Sequence, residues 1–183
     1  VGGTLNLLEF AQQQSSTHGR PVVFMYPSSI AVYGMPNLAI KAKAGRVKES
    51  DWTESTTMYG CNKLYCEQLG RYYARHYKQL SAEHSGQVDF RGIRFPGLIS
   101  AVTVPSGGTS DFAPEMIHAA AKGEPYACFV RPDTTMPFMA MPDAVDALAA
   151  LAEAPASRLT RTAYNLGAFS RSASEIREVV VRA

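Results

Sequence analysis

The sequence predicts an α/β fold built on a buried parallel sheet. Thr4 to Gln14 is patterned as a helix, with Leu5, Leu8 and Phe10-Ala11 on an apolar face and Glu9 and Gln12 to Gln14 outside it. Pro21 to Tyr26 follows as a short apolar run with two valines, a buried strand by type and length. Val88 to Phe95 is a second strand, reached through a long helical stretch. A helix that feeds a buried strand is half of a β-α-β unit.

Composition narrows the function classes. Hydrophobic content of 46% with 19% charged residues describes a soluble globular chain, and 183 residues suit one domain. A net charge of +2 without a long basic tract argues against nucleic-acid partners and anionic membranes. No apolar run approaches spanning length, and no signal peptide opens the chain. Cys61, Cys66 and Cys128 form an odd set without C-x-x-C, which points to reduced thiols in a cytoplasmic protein. The first and last residues both read as the middle of helical patterns, so the expectation is a piece of a longer protein.

Taken in order, Ser15 to Gly19 reads as a loop after the first helix. The first strand ends in Pro27-Ser28-Ser29, and hydroxyls at the carboxyl end of a buried parallel strand sit where open α/β sheets bind ligands. An ordinary serine-rich turn fits the same residues. Met35 to Thr57 is a polar surface excursion, either a lid or a variable loop, in which Trp52 is a candidate anchor. A helix is expected from Thr57 to about Gln79, then a loop over Ser81 to Gly86 and the strand Val88 to Phe95, closed by Pro96-Gly97. Pro105 to Asp111 is a glycine-rich loop, not a phosphate loop, because no Gly-Lys-Ser/Thr follows. Asp111 is placed to cap a helix reaching about Lys122. Tyr126 to Val130 and Thr135 to Met141 have strand character, and Pro142-Asp143 opens a helix to about Glu153. Ala163 to Leu166 is a short strand, and Ser172 with Glu175 has capping-box spacing for a last helix. His18, His76, His84 and His118 are scattered, each read as a surface residue, and there are no metal-ligand clusters.

One pair carries chemistry. Tyr59 and Lys63 are four apart, on one face of the predicted helix. A lysine ammonium close to a tyrosine favours the phenolate, and a phenol brought down from its free pKa of about 10 becomes a usable general base. In a chain with nine tyrosines the pair alone is weak evidence; its neighbours decide.

Gly3-Thr4 with Asn6-Leu7-Leu8-Glu9, Ser28-Ser29 to Tyr33-Gly34, and Tyr59 to Lys63 with Glu67 occur in that order. Together they resemble the G-T-x-N-L-L-E, S-S-x-x-V-Y-G and Y-G-x-S-K-x-x-x-E motifs of the extended short-chain dehydrogenase/reductases, the NAD-dependent epimerase/dehydratase family. Downstream, Arg94 to Ser100, Gly107 to Ala113, Met136 to Met139 and Asp143 to Ala147 look like the epimerase-like L-threonine 3-dehydrogenases. Sugar epimerases typically carry an asparagine-containing segment where this chain has Phe-Pro-Gly. Dehydratases carry Thr-Asp-Glu where it has Ser29-Ile30-Ala31. Asn62 replaces the usual serine, the connections over 35–57 and 77–88 look long, and the family's first strand, glycine-rich turn and ribose-binding acid have no counterpart here.

The resemblance implies a partial Rossmann-like, doubly wound parallel sheet: the catalytic half over 1–100, and substrate-lobe elements with returning strands and helices over 101–183. It implies NAD-dependent oxidation of a secondary hydroxyl, with L-threonine or a similar hydroxy compound as the small-molecule substrate. Tyr59 is then the base. Lys63 lowers its pKa and holds the nicotinamide ribose, and Ser29 orients the reacting oxygen. Pro27, Ser28, Phe95, Pro96 and Leu98 are expected to join Tyr59 and Lys63 around the cofactor, and Thr109 to meet the substrate. The alternatives are a nucleotide-sugar epimerase or reductase and a non-catalytic relative. The resemblance also implies a homodimer formed through the first helix and the Tyr59 helix, the second bearing Tyr65, Tyr72, Tyr73 and Tyr77.

Overall fold

The computed structural model describes residues 1–78 and 87–182. In chain order the elements are α1 (Gly2–His18), β1 (Val22–Ser29), a 3-10 turn (Ile30–Val32), α2 (Leu38–Lys43), α3 (Met58–Arg75), β2 (Val88–Phe95), β3 (Gly97–Ile99), α4 (Phe112–Lys122), β4 (Thr135–Ala140), α5 (Met141–Glu153), a 3-10 turn (Ala156–Arg158), β5 (Ala163–Asn165), β6 (Phe169–Ser172) and α6 (Ala173–Arg182). They form two compact units. One holds Val1–Arg94 with Leu148–Asn165, the other Phe95–Ala147 with the segment from Leu166 onward.

The first unit is a sheet in the order β1-β2-β5 with α1 and α3 packed on it. β2 and β5 run parallel, with Gly92 opposite Ala163 and Arg94 opposite Asn165. The apolar stripe of α1 delivers Leu8 and Ala11 to a core shared with Tyr26, Cys66, Tyr73, Val88 and Phe90. The Phe90 ring stacks on Phe24 at 5.9 Å and on Tyr26 at 5.8 Å. Gly70 of α3 lies directly against that ring, where a Cβ would stand 2.1 Å from Phe90 Cε2. α1 runs through the expected loop to His18, where Gly19 closes it in the left-handed region at φ 64°. Ser15, expected in that loop, is fully buried. Its hydroxyl donates to the Arg20 carbonyl at 2.7 Å and accepts from the Gln87 N–H at 2.7 Å, joining the end of the helix to the start of β2.

The excursion carries the short helix α2, capped by the Asn37 side chain, which accepts from Ile40 N–H. Its anchor is Glu49 rather than the Trp52 ring. The Glu49 carboxylate accepts from Asn165 N–H at 3.1 Å and pairs with Arg161 at 3.3 Å. Trp52 is exposed and contributes its carbonyl, which accepts from Gly34 N–H at 2.8 Å. Thr57 caps α3 by accepting from Gly60 N–H. The helix ends at Arg75, with His76 N–H bonded to the Tyr72 carbonyl; Gln79 and the loop expected over Ser81 to Gly86 lie outside the described residues.

In the second unit β3 and β4 run parallel and β4 and β6 antiparallel. Phe112 and Phe138, both fully buried and edge-to-face at 5.7 Å, centre a core completed by α4 and α6. Ser172 and Glu175 form the expected capping box, each side chain accepting the other's backbone N–H. Three expectations are corrected here. Tyr126 to Val130 is not a strand: Tyr126 is held by its hydroxyl on Glu115 at 2.7 Å, and Cys128 and Val130 pack on the core without ladder partners among the described residues. Asp111 precedes α4, but its carboxylate accepts from Ser106 and Gly108 N–H, folding the glycine-rich loop rather than capping the helix. His118 is half-buried, with Nε2 3.0 Å from the Ser100 carbonyl.

Two predictions follow from the first unit. Gly70→Ala gains up to about 1 kcal/mol of helix propensity but overpacks a buried ring already stacked with Phe24 and Tyr26, at about 1–3 kcal/mol. The net effect is destabilising, measured as a lower urea midpoint at unchanged slope; a stabilised variant would show that Phe90 yields freely. The second concerns Glu49. Burial pushes its carboxyl up, but bonds from Asn165 and its own N–H, with the charges of Arg161 and Arg94, outweigh this and hold it below the ordinary 4.5. A lowered folded-state pKa adds stability above the ordinary value, and that contribution is lost as pH falls through the folded-state value. Glu49→Gln is therefore less stable than wild type near neutrality, and the gap in melting temperature closes as pH falls below the ordinary 4.5 and through the lowered folded-state value. A constant gap across that range would show that the charge carries none of it.

Candidate active site

Helix α3 builds the site by running from the surface into the first unit. Tyr59, Lys63 and Glu67 recur every fourth residue and so share one helix face. Tyr59, near the helix start, is 56% exposed. Lys63, one turn on, is half-buried, and Glu67 is buried. The helix can begin where it does because residue 60 is glycine: a Cβ there would stand 1.9 Å from the Ala31 carbonyl oxygen. Ser55 adds a bond from its hydroxyl to that same carbonyl at 2.8 Å. The first turn of α3 is thereby seated on the 3-10 turn that Ser29 opens.

Of the expected catalytic residues, Tyr59 and Lys63 line one cleft, and Ser29 opens the 3-10 turn on which α3 is seated. Ser29 Oγ accepts from Ala31 N–H at 3.1 Å, which leaves the hydroxyl proton free to be donated. Lys63 Nζ donates to the Pro27 carbonyl at 2.5 Å and stands 5.5 Å from the Tyr59 ring centroid and 5.3 Å from that of Tyr26. Both rings present a face to the cation. Tyr26 is buried, and burial, followed by its bond to Cys66, pushes its phenol above the ordinary range, so it stays neutral. Pro27, Tyr59 and Lys63 line a cleft of about 400 Å³ with Thr4, Leu7, Phe24, Met25 and Asn62 among its other walls. A lysine, an exposed tyrosine hydroxyl and an apolar wall are a donor set suited to a ribose carrying a flat ring.

The other expected residues are distributed differently. The Ser28 hydroxyl points inward and donates to Glu67 Oε1 at 2.5 Å. Phe95, Pro96, Leu98 and Thr109 belong to the second unit. There Pro96 is buried, Leu98 pairs with Met139 in the sheet, and Thr109 is exposed in the loop that Asp111 folds.

Beneath the cleft lies a polar cluster that the sequence did not announce. Arg94 Nε and Nη2 bind the two Glu67 oxygens at 2.9 and 2.7 Å, and Nη1 donates to the Tyr33 hydroxyl at 2.7 Å and the Glu49 carbonyl at 2.8 Å. Burial alone would lower the Arg94 pKa; its bonds to Glu67 and Tyr33 outweigh that and raise it. Burial raises Tyr33 as well, against the pull of Arg94. The usable signal was Arg94 near the carboxyl end of the strand Val88 to Phe95, a charge for which neither Asp89 nor any other strand residue is close enough in sequence to serve once Arg91 is paired, since a charge in a buried strand demands a partner. Among the described residues there is no group of His, Cys, Asp and Glu that could hold a metal, and no helix long and apolar enough to cross a membrane.

Known proteins resemble the chain in sequence and fold. The chain is 35% identical over 181 residues to an uncharacterized epimerase/dehydratase of Staphylococcus aureus, covering 98% of this chain and 50% of that protein. It therefore spans about half the length of the curated relatives it matches. Among solved structures it superposes on a partial-consensus L-threonine 3-dehydrogenase with a TM-score of 0.78 and 40% identity, over 98% of this chain and 53% of the other. The apo form of a GalE-like L-threonine dehydrogenase from Cupriavidus necator gives 0.77 and 39%, over 98% and 60%. The fold is accordingly Rossmann-like α/β. Residues 1–167 match the NAD dependent epimerase/dehydratase family, and the chain belongs to it.

Proposed function

We propose that this chain is the catalytic portion of an NAD-dependent dehydrogenase that oxidises L-threonine, or a closely similar hydroxy compound, at its secondary hydroxyl. The observation that carries this reading is the placement of Lys63, bonded to the Pro27 carbonyl at 2.5 Å with its charge on the face of the Tyr59 ring, beside the Ser29 turn. The identities of 39–40% to L-threonine dehydrogenases support the choice of substrate.

NAD, when bound, supplies the acceptor for the hydride that leaves the alcohol carbon. The residues of the chain handle the proton and the orientation. Tyr59 takes the hydroxyl proton, and Ser29 donates a hydrogen bond to a lone pair of the same oxygen, which turns the O–H bond toward the tyrosine. Lys63 uses one ammonium hydrogen on Pro27 and offers the remaining two to a ribose. Pro27, Phe95, Pro96 and Leu98 are proposed cofactor contacts, with Ser28 contributing through its backbone, and Thr109 a substrate contact. On this reading residues 1–100 form the catalytic half and 101–183 the substrate-lobe elements.

In the full-length protein, Tyr59→Phe should lower kcat by about 10²–10⁴-fold with NAD affinity nearly unchanged, because it removes the base but little contact area. Lys63→Ala should damage both quantities. Near-wild-type turnover by Tyr59→Phe would sink the mechanism. A thermal shift with a uridine-diphosphate sugar and none with L-threonine plus NAD would move the reading to a sugar-nucleotide epimerase.

A homodimer is proposed on the same footing. Leu7 and Phe10 of α1 are more than half exposed, and Tyr65 and Tyr72 of α3 are exposed as well. Aromatic surface of this kind is enriched at interfaces. Light scattering on the full-length protein should give a dimer that Phe10→Glu with Tyr65→Glu dissociates; a clean wild-type monomer at high concentration would contradict the assignment.

A further inference from the structure

The Glu67–Arg94 pair starts one turn beyond Lys63 on α3, with side-chain exposures of 6% and 5%. Each polar contact of the pair leads to a different segment. Glu67 Oε1 takes the Ser28 hydroxyl, and Ser28 is the residue before Ser29. One turn earlier on α3, Lys63 holds the Pro27 carbonyl. Two consecutive residues of β1 are thus pinned to two consecutive turns of the helix that carries Tyr59. From the other end of the pair, Arg94 Nη1 reaches Tyr33 and the Glu49 carbonyl. The Tyr33 hydroxyl donates to Asn165 Oδ1 at 2.5 Å, and Asn165 Nδ2 donates to the Val47 carbonyl at 3.0 Å. The 35–57 excursion is therefore tied, through residues 47 and 49, to the carboxyl ends of β2 and β5.

We propose that Glu67 and Arg94 are positioning residues for the Ser29–Tyr59–Lys63 site. Through Ser28 the pair fixes the Ser29 hydroxyl relative to the tyrosine, and through Tyr33 and Glu49 it holds the excursion at the same end of the sheet. This rests on the reading that these three residues do the chemistry. Neither positioning residue touches substrate in this scheme. The arginine is needed as a fork, since a lysine could not serve Glu67, Tyr33 and Glu49 together.

The test uses full-length protein. Ser28→Ala deletes one bond and leaves the ion pair intact, so it remains informative should Glu67→Gln not fold. Expected for Ser28→Ala are a kcat about tenfold lower, a KM for NAD within about twofold of wild type, and a melting temperature lowered without loss of the folded state. If Glu67→Gln folds, the double variant should be no slower than Glu67→Gln alone, because both break one chain of contacts. Amide exchange should rise over residues 27–34 in Ser28→Ala and over 46–56 in Asn165→Ala. Wild-type kcat in Ser28→Ala, independent multiplication of the two effects, or a loss confined to NAD affinity would each overturn the proposal. Should wild type turn over neither L-threonine nor a sugar nucleotide, the proposed function falls on its own. Exchange then decides this inference: unchanged protection at 27–34 in Ser28→Ala overturns it, and selective loss there upholds it.

Discussion

A buried charge that cannot be left unpaired organises the first unit. Removing a guanidinium and a carboxylate from water costs several kcal/mol per ion, and their attraction offsets this only if the geometry is good and every remaining donor and acceptor is satisfied. Arg94 meets that condition through both Glu67 oxygens, the Tyr33 hydroxyl and the Glu49 carbonyl. Those partners sit on α3, after the 3-10 turn, and within the excursion. Satisfying one strand residue therefore fixes three segments far apart in sequence. The polar excursion is ordered at Glu49 for this reason and not through an apolar anchor.

The second constraint is a close approach of backbones. Helix α3 must begin against the Ala31 carbonyl, and any side chain at position 60 would prevent it. The same helix then descends into the fold, so that its four-residue repeat samples three environments. Tyr59 stays in solvent reach, Lys63 sits at the boundary bonded to Pro27, and Glu67 is fully enclosed. On the proposed function the base needs access, its cationic neighbour needs a fixed position, and the structural ion needs enclosure. One helix face provides all three because it is inclined to the surface.

What the sequence made legible follows from periodicity and from local chemistry. The bounds of β2 and the capping box of α6 were readable because alternation and side-chain-to-backbone spacing are local properties. The Tyr59–Lys63 pair was readable for the same reason. The residues that were missed act across long separations. Ser15 looked like a loop serine, yet it joins Arg20 to Gln87. Asn165 and Glu49 are 116 positions apart, and nothing in either neighbourhood encodes the other. Tyr126 to Val130 has strand-forming residues but no ladder partner among the described residues, and pairing, which propensity does not contain, decides. Asp111 had the position of a helix cap, but two loop N–H groups competed for its carboxylate and won.

That competition separates what shapes the loop from what it displays. In the second unit the Ser106 to Asp111 loop takes its shape from bonds between the Asp111 carboxylate and backbone N–H groups, with Gly107 in the left-handed region at φ 90°. None of those bonds involves the Thr109 side chain. Position 109 can therefore change identity without changing the loop, whereas Gly107 and Asp111 cannot. Function is carried by side chains grafted on a scaffold, and the separation is explicit here. In the first unit the buried pair and the glycine contact fix where the reacting groups stand. In the second, a backbone clamp fixes a loop whose exposed side chain is free to vary.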